Sequence, residues 1–583
     1  MRSVSSLNEP SNELVELRYR LRHSAAHVTA GAVMALFPTA KLGVGPPTED
    51  GFYYDFLVDH PFTPADLESI EKKVQEDINK DFLFKVRELS PNESKEQFAN
   101  QQFKLEIIDE IPPEDLITTY RHGHFEDLCR GPHVDSTGVI TAFKLLSVAG
   151  AYWKGNENQP MLQRIYGTAF ESQKALQEYL DRLEEAKKRD HRKLGTELGL
   201  YTFDPISPAS PFFLPKGTII YNLLLNYIRN LYDRYGYQEV ITPQLFSTEL
   251  WKKSGHYDVY PENMFFVEID DRQYGLKPMN CPAHALIYAT QLHSYRELPI
   301  RYADFGRLHR YERSGVTHGL TRVRTFVQDD AHIFCTPEQV ATEISKFIEM
   351  LMEAYSMFQF DEPRIVLSLR PEKRIGSDAL WDQAETALAS LLENSNRKYE
   401  SIQGEGAFYG PKIDFFVPDA IGRQWQLGTI QLDFSLPERF DLEYVTENGT
   451  RSRPVVLHRA VVGSIERFLG ILIEHYAGSF PTWLSPTQAV IIPITDRQIE
   501  YAYQVAKQLT SLGIRVGVDT RNERMNAKVR QAQLEKIPYM LIIGDREVES
   551  KSVSVRLRSG ENHGAMSINQ AHEVIKSAID SQE

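Results

Sequence analysis

Cysteine is scarce in this chain, and long apolar runs are missing. The 583 residues include only three cysteines, Cys129, Cys281 and Cys335. Three are too few for a disulfide framework, so we expect free thiols. No apolar run approaches the ~20 residues that span a bilayer, and the N-terminus lacks the charged-then-apolar pattern of a secretory leader. We therefore expect a cytoplasmic protein without a membrane segment.

Basic residues are outnumbered, and the formal net charge is −15. A nucleic-acid binder is often basic, so this balance at first argues against one. The charge is uneven, however, because residues 485–583 hold 13 Lys and Arg against 12 Asp and Glu, which leaves −16 for the rest. Overall acidity does not exclude nucleic-acid binding, since phosphate contacts need only a local basic surface.

The length and composition indicate a globular protein of several domains. Apolar residues make up 42% and charged residues 25%, an ordinary balance, and 583 residues exceed one hydrophobic core. Shifts in pattern predict five segments: a polar N-terminal tail (1–14), a mixed unit (15–171), a charged linker helix (172–193), a large unit (194–484) and a C-terminal unit (485–583). In the C-terminal unit strands alternate with helices, which predicts a small α/β domain with a mainly parallel sheet.

The densest polar chemistry lies between Arg301 and His332. If Arg322–Ile333 is a strand, alternate side chains share one face. That face would carry Arg322, Arg324, Phe326, Gln328, Asp330 and His332. Arg310 and Glu312 would share a face of the preceding strand, with a loop between. A solvated, charge-rich hairpin is the simple alternative, but buried-looking neighbours argue that these charges are paired or used.

The segment resembles motif 2 of class II aminoacyl-tRNA synthetases, in its threonyl form. Two other stretches agree: Tyr237–Pro243 resembles motif 1, a helix–strand–proline element at that family's dimer interface, and Leu457–Arg467 resembles motif 3. Each motif alone is degenerate, whereas the three in this order are specific. The resemblance runs from about residue 15 to the C-terminus. It implies an α+β and α/β multidomain fold: an editing domain, an antiparallel-sheet catalytic domain and an α/β anticodon-binding domain.

The resemblance implies an enzyme that joins L-threonine to tRNA(Thr) through a threonyl-adenylate made from ATP. Charge develops on the α-phosphate during activation, and fixed cations stabilise it. Arg310 would bind the α-phosphate, Arg322 the terminal phosphates, and Arg467 the adenine ring and a phosphate. Gln328 completes the predicted catalytic set. Substrate and ATP contacts are expected from Glu312, Phe326, Asp330, Tyr409, Gln426 and Gln431. The family also implies Mg²⁺ with ATP and a homodimer.

Three separated residues, Cys281, His332 and His458, could share one metal ion. Their spacing alone is uninformative, but the resemblance implies one Zn²⁺ per chain at these residues. Thiolate and imidazole suit zinc, and three protein ligands leave a position open for substrate. Zinc bound by the amino group and hydroxyl of threonine would exclude valine, which has no hydroxyl. Serine keeps the hydroxyl and lacks only a methyl group, worth about 1–3 kcal/mol, so it should leak through.

The N-terminal unit carries a second His/Cys set. His23 and His27 are spaced to share a helix face, and Cys129 and His133 lie further along. The set resembles the editing domain of bacterial threonyl-tRNA synthetases, which removes mischarged serine, with Asp127 and Lys144 positioning water and the ester. The same four residues have the donor types of a zinc site, and structural histidines are the third interpretation.

The C-terminal unit resembles an anticodon-binding domain. Asn522 and Glu549, with Arg558 nearby, are predicted to read unpaired bases, although an ordinary charged surface is an equal alternative. We also expect the ubiquitin-like domain that begins most bacterial threonyl enzymes to be lacking. Two rival functions are weaker: the Cys/His/His set argues against a prolyl or seryl synthetase, and the intact arginines argue against a non-catalytic RNA-binding regulator.

Overall fold

A computed structural model describes residues 12–112, 114–156, 158–395 and 397–582. Most of the predicted N-terminal tail, residues 1–11, lies outside the described residues. The chain divides into two compact units, residues 1–184 and 185–583. None of the described helices is both long and apolar enough to span a membrane.

The first unit combines two antiparallel sheets with helices. Its strands are β1 (Lys41–Leu42), β2 (Phe52–Leu57), β3 (Lys85–Leu89), β4 (Ile117–His122), β5 (Phe125–Leu128), β6 (Ala142–Tyr152) and β7 (Met161–Phe170). Its helices are α1 (Asn12–Leu36), α2 (Pro64–Asn79), α3 (Pro91–Gln97), α4 (Gln102–Glu110) and the start of α5 (Gln173–Arg189). The sheet orders are β1-β2-β7-β6 and β3-β4-β5.

Helix α1 supplies much of the core of the first unit. A continuous run of its residues from Ser24 to Val33 is buried, and the helix packs against β2 and β7. Burying the helix on most sides requires small side chains where other elements approach, which explains Ala25, Ala26 and Ala30. His23 and His27 lie on this helix, so the predicted helical spacing of the pair is confirmed.

The larger part of the second unit is built on one extended sheet. The strands of this part of the chain, in the extended sheet and in smaller ones, are β8 (Tyr201–Phe203), β9 (Pro211–Phe213), β10 (Gln238–Glu239), β11 (Leu245–Ser247), β12 (Phe266–Ile269), β13 (Arg272–Leu276), β14 (His293–Ser294), β15 (Ile300–Asp304), β16 (Arg307–His309), β17 (Thr325–Val327), β18 (Asp330–Cys335), β19 (Arg364–Ser368), β20 (Tyr399–Ile402), β21 (Lys412–Pro418), β22 (Gln424–Asp433), β23 (Tyr444–Val445), β24 (Arg451–Ser452) and β25 (Val455–Ala460). Its helices are α6 (His191–Glu197), α7 (Pro215–Arg234), α8 (Thr248–Ser254), α9 (His256–Val259), α10 (Cys281–Tyr288), α11 (Val340–Met357), α12 (Asp378–Asn394), α13 (Ser435–Phe440) and α14 (Ile465–His475).

The extended sheet has the order β10-β15-β18-β25-β22-β21-β19-β20. Its six inner strands pair antiparallel, and only the two edge strands β10 and β20 pair parallel with their neighbours. Helices α7, α11 and α14 contribute to the large hydrophobic core of this unit. The predicted antiparallel sheet is therefore confirmed.

The C-terminal part has the strand order β27-β26-β28-β29-β30. The strands are β26 (Ala489–Pro493), β27 (Val516–Val518), β28 (Tyr539–Ile543), β29 (Ser552–Leu557) and β30 (Asn562–Ser567), and the helices are α15 (Ile499–Ser511), α16 (Met525–Leu534), α17 (Asp545–Ser550) and α18 (Ile568–Asp580). Strands β27, β26 and β28 pair parallel, and β29 and β30 extend the sheet antiparallel. The predicted α/β character is confirmed.

Several predicted elements have different limits. The proposed strand Arg322–Ile333 is broken at Gln328 and Asp329 into β17 and β18, which belong to different sheets. Arg310 and Glu312 follow β16 rather than lying in it. Within Tyr237–Pro243, the segment that resembles motif 1, the strand is only Gln238–Glu239. The charged linker helix ends at Arg189, because Asp190 caps the separate helix α6 through the backbone N–H of Arg192.

Asp329 is the reason for the break between β17 and β18. Its carboxylate is fully buried and accepts backbone N–H groups of Val461, Val462 and Gly463 at 2.7–3.0 Å. It also accepts the Tyr232 hydroxyl at 2.8 Å. Since side chains alternate along a strand, turning this carboxylate away from the sheet requires leaving the regular strand. The contact fixes the end of β17 against the turn that precedes α14.

We predict that Asp329→Asn destabilises the second unit by about 2–4 kcal/mol, because an amide offers a donor where three N–H donors already converge. Urea unfolding followed by tryptophan fluorescence measures the change, since four of the five tryptophans lie in this unit. The control is Asp441→Asn, an exposed carboxylate paired with Arg453, for which we expect a change within about 0.5 kcal/mol. Equal stability of the two variants would contradict the prediction.

Candidate functional site

A buried Cys/His/His cluster lies on the extended sheet of the second unit. Cys281 is the first residue of α10, and His332 in β18 pairs directly across from His458 in β25. One donor atom from each residue lies within 4.8 Å of the other two. The structure thus brings together the three residues predicted to share a metal, and the group can hold a metal ion.

The surroundings of this cluster orient the two imidazoles. His332 Nε2 lies 2.9 Å from His458 Nδ1, so both nitrogens face the same point. The opposite nitrogen of His458, Nε2, contacts Asp433 Oδ2 at 2.8 Å, an arrangement typical of metal-binding histidines. Burial lowers the pKa of His332 well below its usual value and raises the pKa of the Cys281 thiol, so both groups are neutral at pH 7.

Three of the predicted substrate contacts, Tyr409, Gln431 and Asp330, lie beside the cluster. The Tyr409 ring packs against the His458 ring at a tilt of 32°, with centroids 4.8 Å apart, and its hydroxyl donates a hydrogen bond to Gln431 Oε1. Asp330 is buried, accepts from Asn280 Nδ2 at 3.2 Å, and has its pKa raised by burial. Gln426 donates to Asp414 Oδ1 at 2.8 Å on the neighbouring strand. The result is a polar pocket with a carboxylate, a phenol and an amide beside the cluster.

The predicted phosphate-binding arginines lie at the hairpin of β16 and β17 and in α14. Arg310 Nε donates to Pro278 O at 3.2 Å, and its guanidinium carbon lies 5.1 Å from the centre of the Phe326 ring. Arg322 donates to Glu312 Oε2 at 3.0 Å. The pKa of Arg467 is lowered, first by burial and then by the positive charge of Arg322.

Arg467 Nε is buried without a hydrogen-bond partner among the described residues. The guanidinium groups of Arg322 and Arg467 repel one another, and Glu312 is the carboxylate that pairs with Arg322. Positive charge therefore remains available for an anion. The backbone of Gln328 forms an isolated antiparallel β-bridge with Ser464, the N-cap residue of α14. The structure therefore places the predicted catalytic residues around the junction of β17, β18 and α14.

A second cluster lies in the first unit. Cys129 Sγ is 3.2 Å from His23 Nε2 and 3.1 Å from His133 Nε2. One donor atom from each of these three side chains lies within 4.8 Å of the other two, so this group could also hold a metal ion. His23 and Cys129 line a cavity of about 510 Å³. Burial raises the pKa of Cys129 to about 11 and lowers the pKa of His133 to about 2, so all three groups are neutral at pH 7.

His27 does not join this cluster, although its spacing from His23 predicted that it would. Its Nε2 contacts Tyr120 O at 3.0 Å and its Nδ1 contacts His122 Nδ1 at 3.0 Å. A carbonyl can only accept, so Nε2 carries the proton and Nδ1 accepts from His122. Both ring nitrogens of His27 are therefore engaged within the protein, which excludes the predicted four-residue ligand set in this geometry.

The lysine of this cavity is Lys104, not the predicted Lys144. Asp127 is buried and pairs with Lys104 at 2.9 Å, with both side chains only 3% exposed, and it also accepts from the Tyr54 hydroxyl. Lys144 instead pairs with Glu71 at 2.7 Å and is 45% exposed. The prediction for Lys144 is wrong because β6 directs this residue away from the core. No spacing in the sequence marks Lys104, which is one of many charged residues on short helices.

The predicted base-reading residues of the C-terminal part separate into two groups. Asn522 and Glu549 are both exposed and follow the carboxyl ends of the parallel strands β27 and β28. Arg558 follows β29, which runs antiparallel to β28, so it lies at the opposite edge of the sheet. There it donates to Phe480 O at 2.8 Å. The prediction that Arg558 lies near the other two is therefore wrong.

Three family models match consecutive parts of the chain. The "Threonyl and Alanyl tRNA synthetase second additional domain" matches residues 117–166. The "tRNA synthetase class II core domain (G, H, P, S and T)" matches residues 265–476, and the "Anticodon binding domain" matches residues 488–578. The order of the matches is the order of the two clusters and the C-terminal sheet along the chain.

Whole-chain relatives are similar over nearly the full length. A threonine–tRNA ligase of Lawsonia intracellularis is 55% identical over 94% of this chain and 86% of its own length. One from Citrifermentans bemidjiense is 51% identical over 99% of this chain and 91% of its own. The solved RNA-binding domain of threonyl-tRNA synthetase from Cryptosporidium parvum matches with a TM-score of 0.64 and 46% identity, over 67% of this chain and 98% of that chain. A prolyl-tRNA synthetase from Giardia lamblia has a TM-score of 0.54 at 18% identity, over 69% and 80%, and shows the fold alone.

The raised pKa of Cys129 predicts slow alkylation at neutral pH. Only the thiolate reacts, and a pKa of about 11 means that the iodoacetamide rate should rise about tenfold per pH unit from pH 7 to 9.5 without levelling. Peptide mass spectrometry of the intact protein at each pH measures the rate at this residue. A plateau near pH 8.5, as for an ordinary thiol, would refute the prediction.

Proposed function

This chain belongs to the threonine–tRNA ligase family, and we propose that it attaches L-threonine to tRNA(Thr) through a threonyl-adenylate made from ATP. The observation that carries the proposal is the buried Cys281, His332 and His458 cluster, placed beside a polar pocket and a group of arginines. A metal-type cluster selects the amino acid, and fixed cations support phosphate chemistry. The same cluster argues against a prolyl or seryl enzyme.

The residues of the cluster fit one Zn²⁺ ion, because they supply one sulfur and two nitrogen donors from rigid elements. When bound, zinc would supply a Lewis acid for the amino group and hydroxyl of threonine. Asp330 would hold the amino group, since its buried carboxylate lies 4.0 Å from His332 Nε2. Tyr409 and Gln431 form the opposite wall and exclude side chains longer than threonine.

Three arginines bind the phosphates of ATP. Arg310 holds the α-phosphate and the attacking carboxylate, and Phe326 beneath its guanidinium offers a face for adenine. Arg322 holds the terminal phosphates, with Mg²⁺ accompanying the nucleotide, and Arg467 provides a buried N–H without a protein partner. Glu312, which pairs with Arg322 here, accepts from the adenine amino group when ATP takes over the guanidinium.

The cluster of the first unit hydrolyses serine from mischarged tRNA. His23 donates from Nδ1 to Pro132 O at 3.2 Å, so its Nε2 carries a lone pair that can accept a proton from water. Cys129 is a poor nucleophile because its thiol is protonated at neutral pH. Lys104 and Asp127 present a charged pair inside the cavity that can position the ester.

The remaining partners follow from exposed groups. Asn522 and Glu549 read unpaired anticodon bases with amide and carboxylate edges. Two copies of the chain associate through the segment after β10, where Ile241 is 90% exposed and an apolar side chain gains most from a partner. The domain limits are those predicted from the sequence, 15–171, 194–484 and 485–583, and the three free cysteines favour a reducing compartment such as the cytoplasm.

We predict that threonine stimulates exchange of pyrophosphate into ATP, and that valine stimulates it less because it lacks the hydroxyl. Arg310→Ala should lower the exchange rate about 10²–10³-fold, because a fixed cation at the reacting phosphate is lost. The control is Arg453→Ala, an exposed arginine paired with Asp441, which should retain the rate. Absence of stimulation by threonine would reject the proposed function.

We predict that Lys104→Met lowers hydrolysis of Ser-tRNA(Thr) at least tenfold, since it removes the cation of a buried pair and leaves Asp127 uncompensated. Its matched control is Lys144→Met, which removes an exposed lysine of the same unit and should stay within about twofold. Deacylation of purified Ser-tRNA(Thr) measures both.

A variant with His23→Ala and His27→Ala tests the histidines in the same assay. Hydrolysis should fall with the loss of the His23 lone pair. Unchanged deacylation by this double variant would reject the editing role, while leaving the synthetic role to the exchange assay.

A further inference from the structure

A series of buried polar groups lies on the side of His332 opposite the metal-type cluster. His284, in α10, has its Nδ1 2.9 Å from His332 Nδ1. Its other nitrogen, Nε2, is buried without a hydrogen-bond partner among the described residues, and it lies 3.9 Å from Asp304 Oδ2. The His284 and Asp304 side chains are 0% and 2% exposed, so water does not compete for these groups.

Asp304 is held as a fixed carboxylate at the end of β15. Its Oδ2 accepts from Thr242 Oγ1 at 2.7 Å and from Lys277 Nζ at 3.3 Å. Lys277 is itself fully buried and donates to Thr242 Oγ1 at 2.8 Å. The lysine compensates the buried negative charge and keeps the carboxylate ionised, and the same oxygen, Oδ2, lies 3.9 Å from His284 Nε2.

The donor and acceptor roles of His332, His284 and Asp304 follow from the hydrogen-bonding capacity of each group. An ionised carboxylate only accepts, and Asp304 Oδ2 lies 3.9 Å from His284 Nε2, which has no hydrogen-bond partner among the described residues. The tautomer with the N–H on Nε2 directs that N–H at the Asp304 carboxylate and leaves Nδ1 to accept from His332. His332 must then donate from Nδ1, which leaves the lone pair on Nε2, the nitrogen that faces His458 Nδ1 at 2.9 Å.

We propose that His284, oriented by Asp304, is a positioning residue that fixes the metal-binding tautomer and the ring angle of His332. The proposal rests on the proposed function, because it assumes that Cys281, His332 and His458 bind the metal. A neutral imidazole in the other tautomer would present an N–H to the ion instead of a lone pair. Groups that set this orientation behind a ligand contribute about 10–100-fold to metal affinity.

The second histidine ligand is oriented by a different route. His458 contacts the carboxylate of Asp433 directly at 2.8 Å. A carboxylate thus orients His458 directly, whereas another carboxylate orients His332 through the imidazole of His284. Removing His284 should therefore weaken metal binding through His332 alone, and the Cys281 and His458 arms should keep their geometry.

The test measures the affinity of the full-length protein for Zn²⁺ by competition with a chromophoric chelator. We expect His284→Leu to lower the affinity about 10–100-fold, because it removes the acceptor for His332. We expect His284→Asn to stay within about threefold, because its side-chain oxygen can occupy the place of Nδ1 and accept from His332. The KM for threonine should rise in the Leu variant while the KM for ATP stays constant.

Two controls separate the possible outcomes. His293→Leu removes another buried histidine of the same unit, whose Nε2 contacts Tyr288 O at 3.2 Å, and it should leave Zn²⁺ affinity unchanged. Cys281→Ala should abolish tight binding. If Cys281→Ala binds as the parent does, the metal site of the proposed function is wrong. If Cys281→Ala loses the metal and His284→Leu binds within twofold of the parent, the role of His284 alone is overturned.

A double-mutant cycle decides if the Leu variant does not fold. Asp304→Asn should lower Zn²⁺ affinity in the parent protein, because the carboxylate that orients His284 is lost. In the His284→Asn background, the shorter side chain no longer reaches Asp304, so the same change should have little further effect. Equal effects of Asp304→Asn in both backgrounds would show that Asp304 does not act through His284 and would reject the proposal.

Discussion

The register between β18 and β25 is the constraint on which the site of the second unit depends. His332 lies opposite His458, and the next strand places Gln431 opposite His458 in turn. Because side chains alternate along a strand, a slip of one residue would send each of them to the other face of the sheet. Asp329 prevents such a slip at one end, since its carboxylate is bound to three consecutive backbone N–H groups after β25. One buried carboxylate therefore fixes both the metal-type cluster and the start of α14, which carries Arg467.

The same constraint explains how much of the site could be predicted from the sequence. The order of the motifs predicted the antiparallel sheet, the grouping of Cys281, His332 and His458, and the arginines around it. The continuous strand Arg322–Ile333 was wrong because periodicity does not show that Asp329 has backbone partners far along the chain. Two adjacent aspartates look alike in the sequence, although Asp329 is structural and Asp330 faces the cluster.

Other errors have the same origin in contacts between distant residues. Lys104 and Lys144 are equally plausible lysines in the sequence, and only the packing of α4 against the cavity distinguishes the buried one. Arg558 was expected beside Asn522 because the direction of β29 cannot be deduced from an apolar run. His284 gave no signal, since its role depends on an unpaired nitrogen and a carboxylate contributed by another strand. Residues that act through other residues are the ones that motif spacing does not reveal.

The two Cys/His clusters share donor types, but their surroundings differ in a way that matters for chemistry. In the second unit, both imidazoles are backed by carboxylates, His458 by Asp433 and His332 by Asp304 through His284. In the first unit, His23 is backed by the carbonyl of Pro132 and His133 by the hydroxyl of Ser24. The nearby Asp127 is neutralised by Lys104. Carboxylates behind the imidazoles compensate the charge of a bound cation, whereas a carbonyl and a hydroxyl carry no charge that could do so. The second-unit cluster is therefore organised for a cation, and the first-unit cluster, next to an open cavity of about 510 Å³, is better suited to hold and activate water.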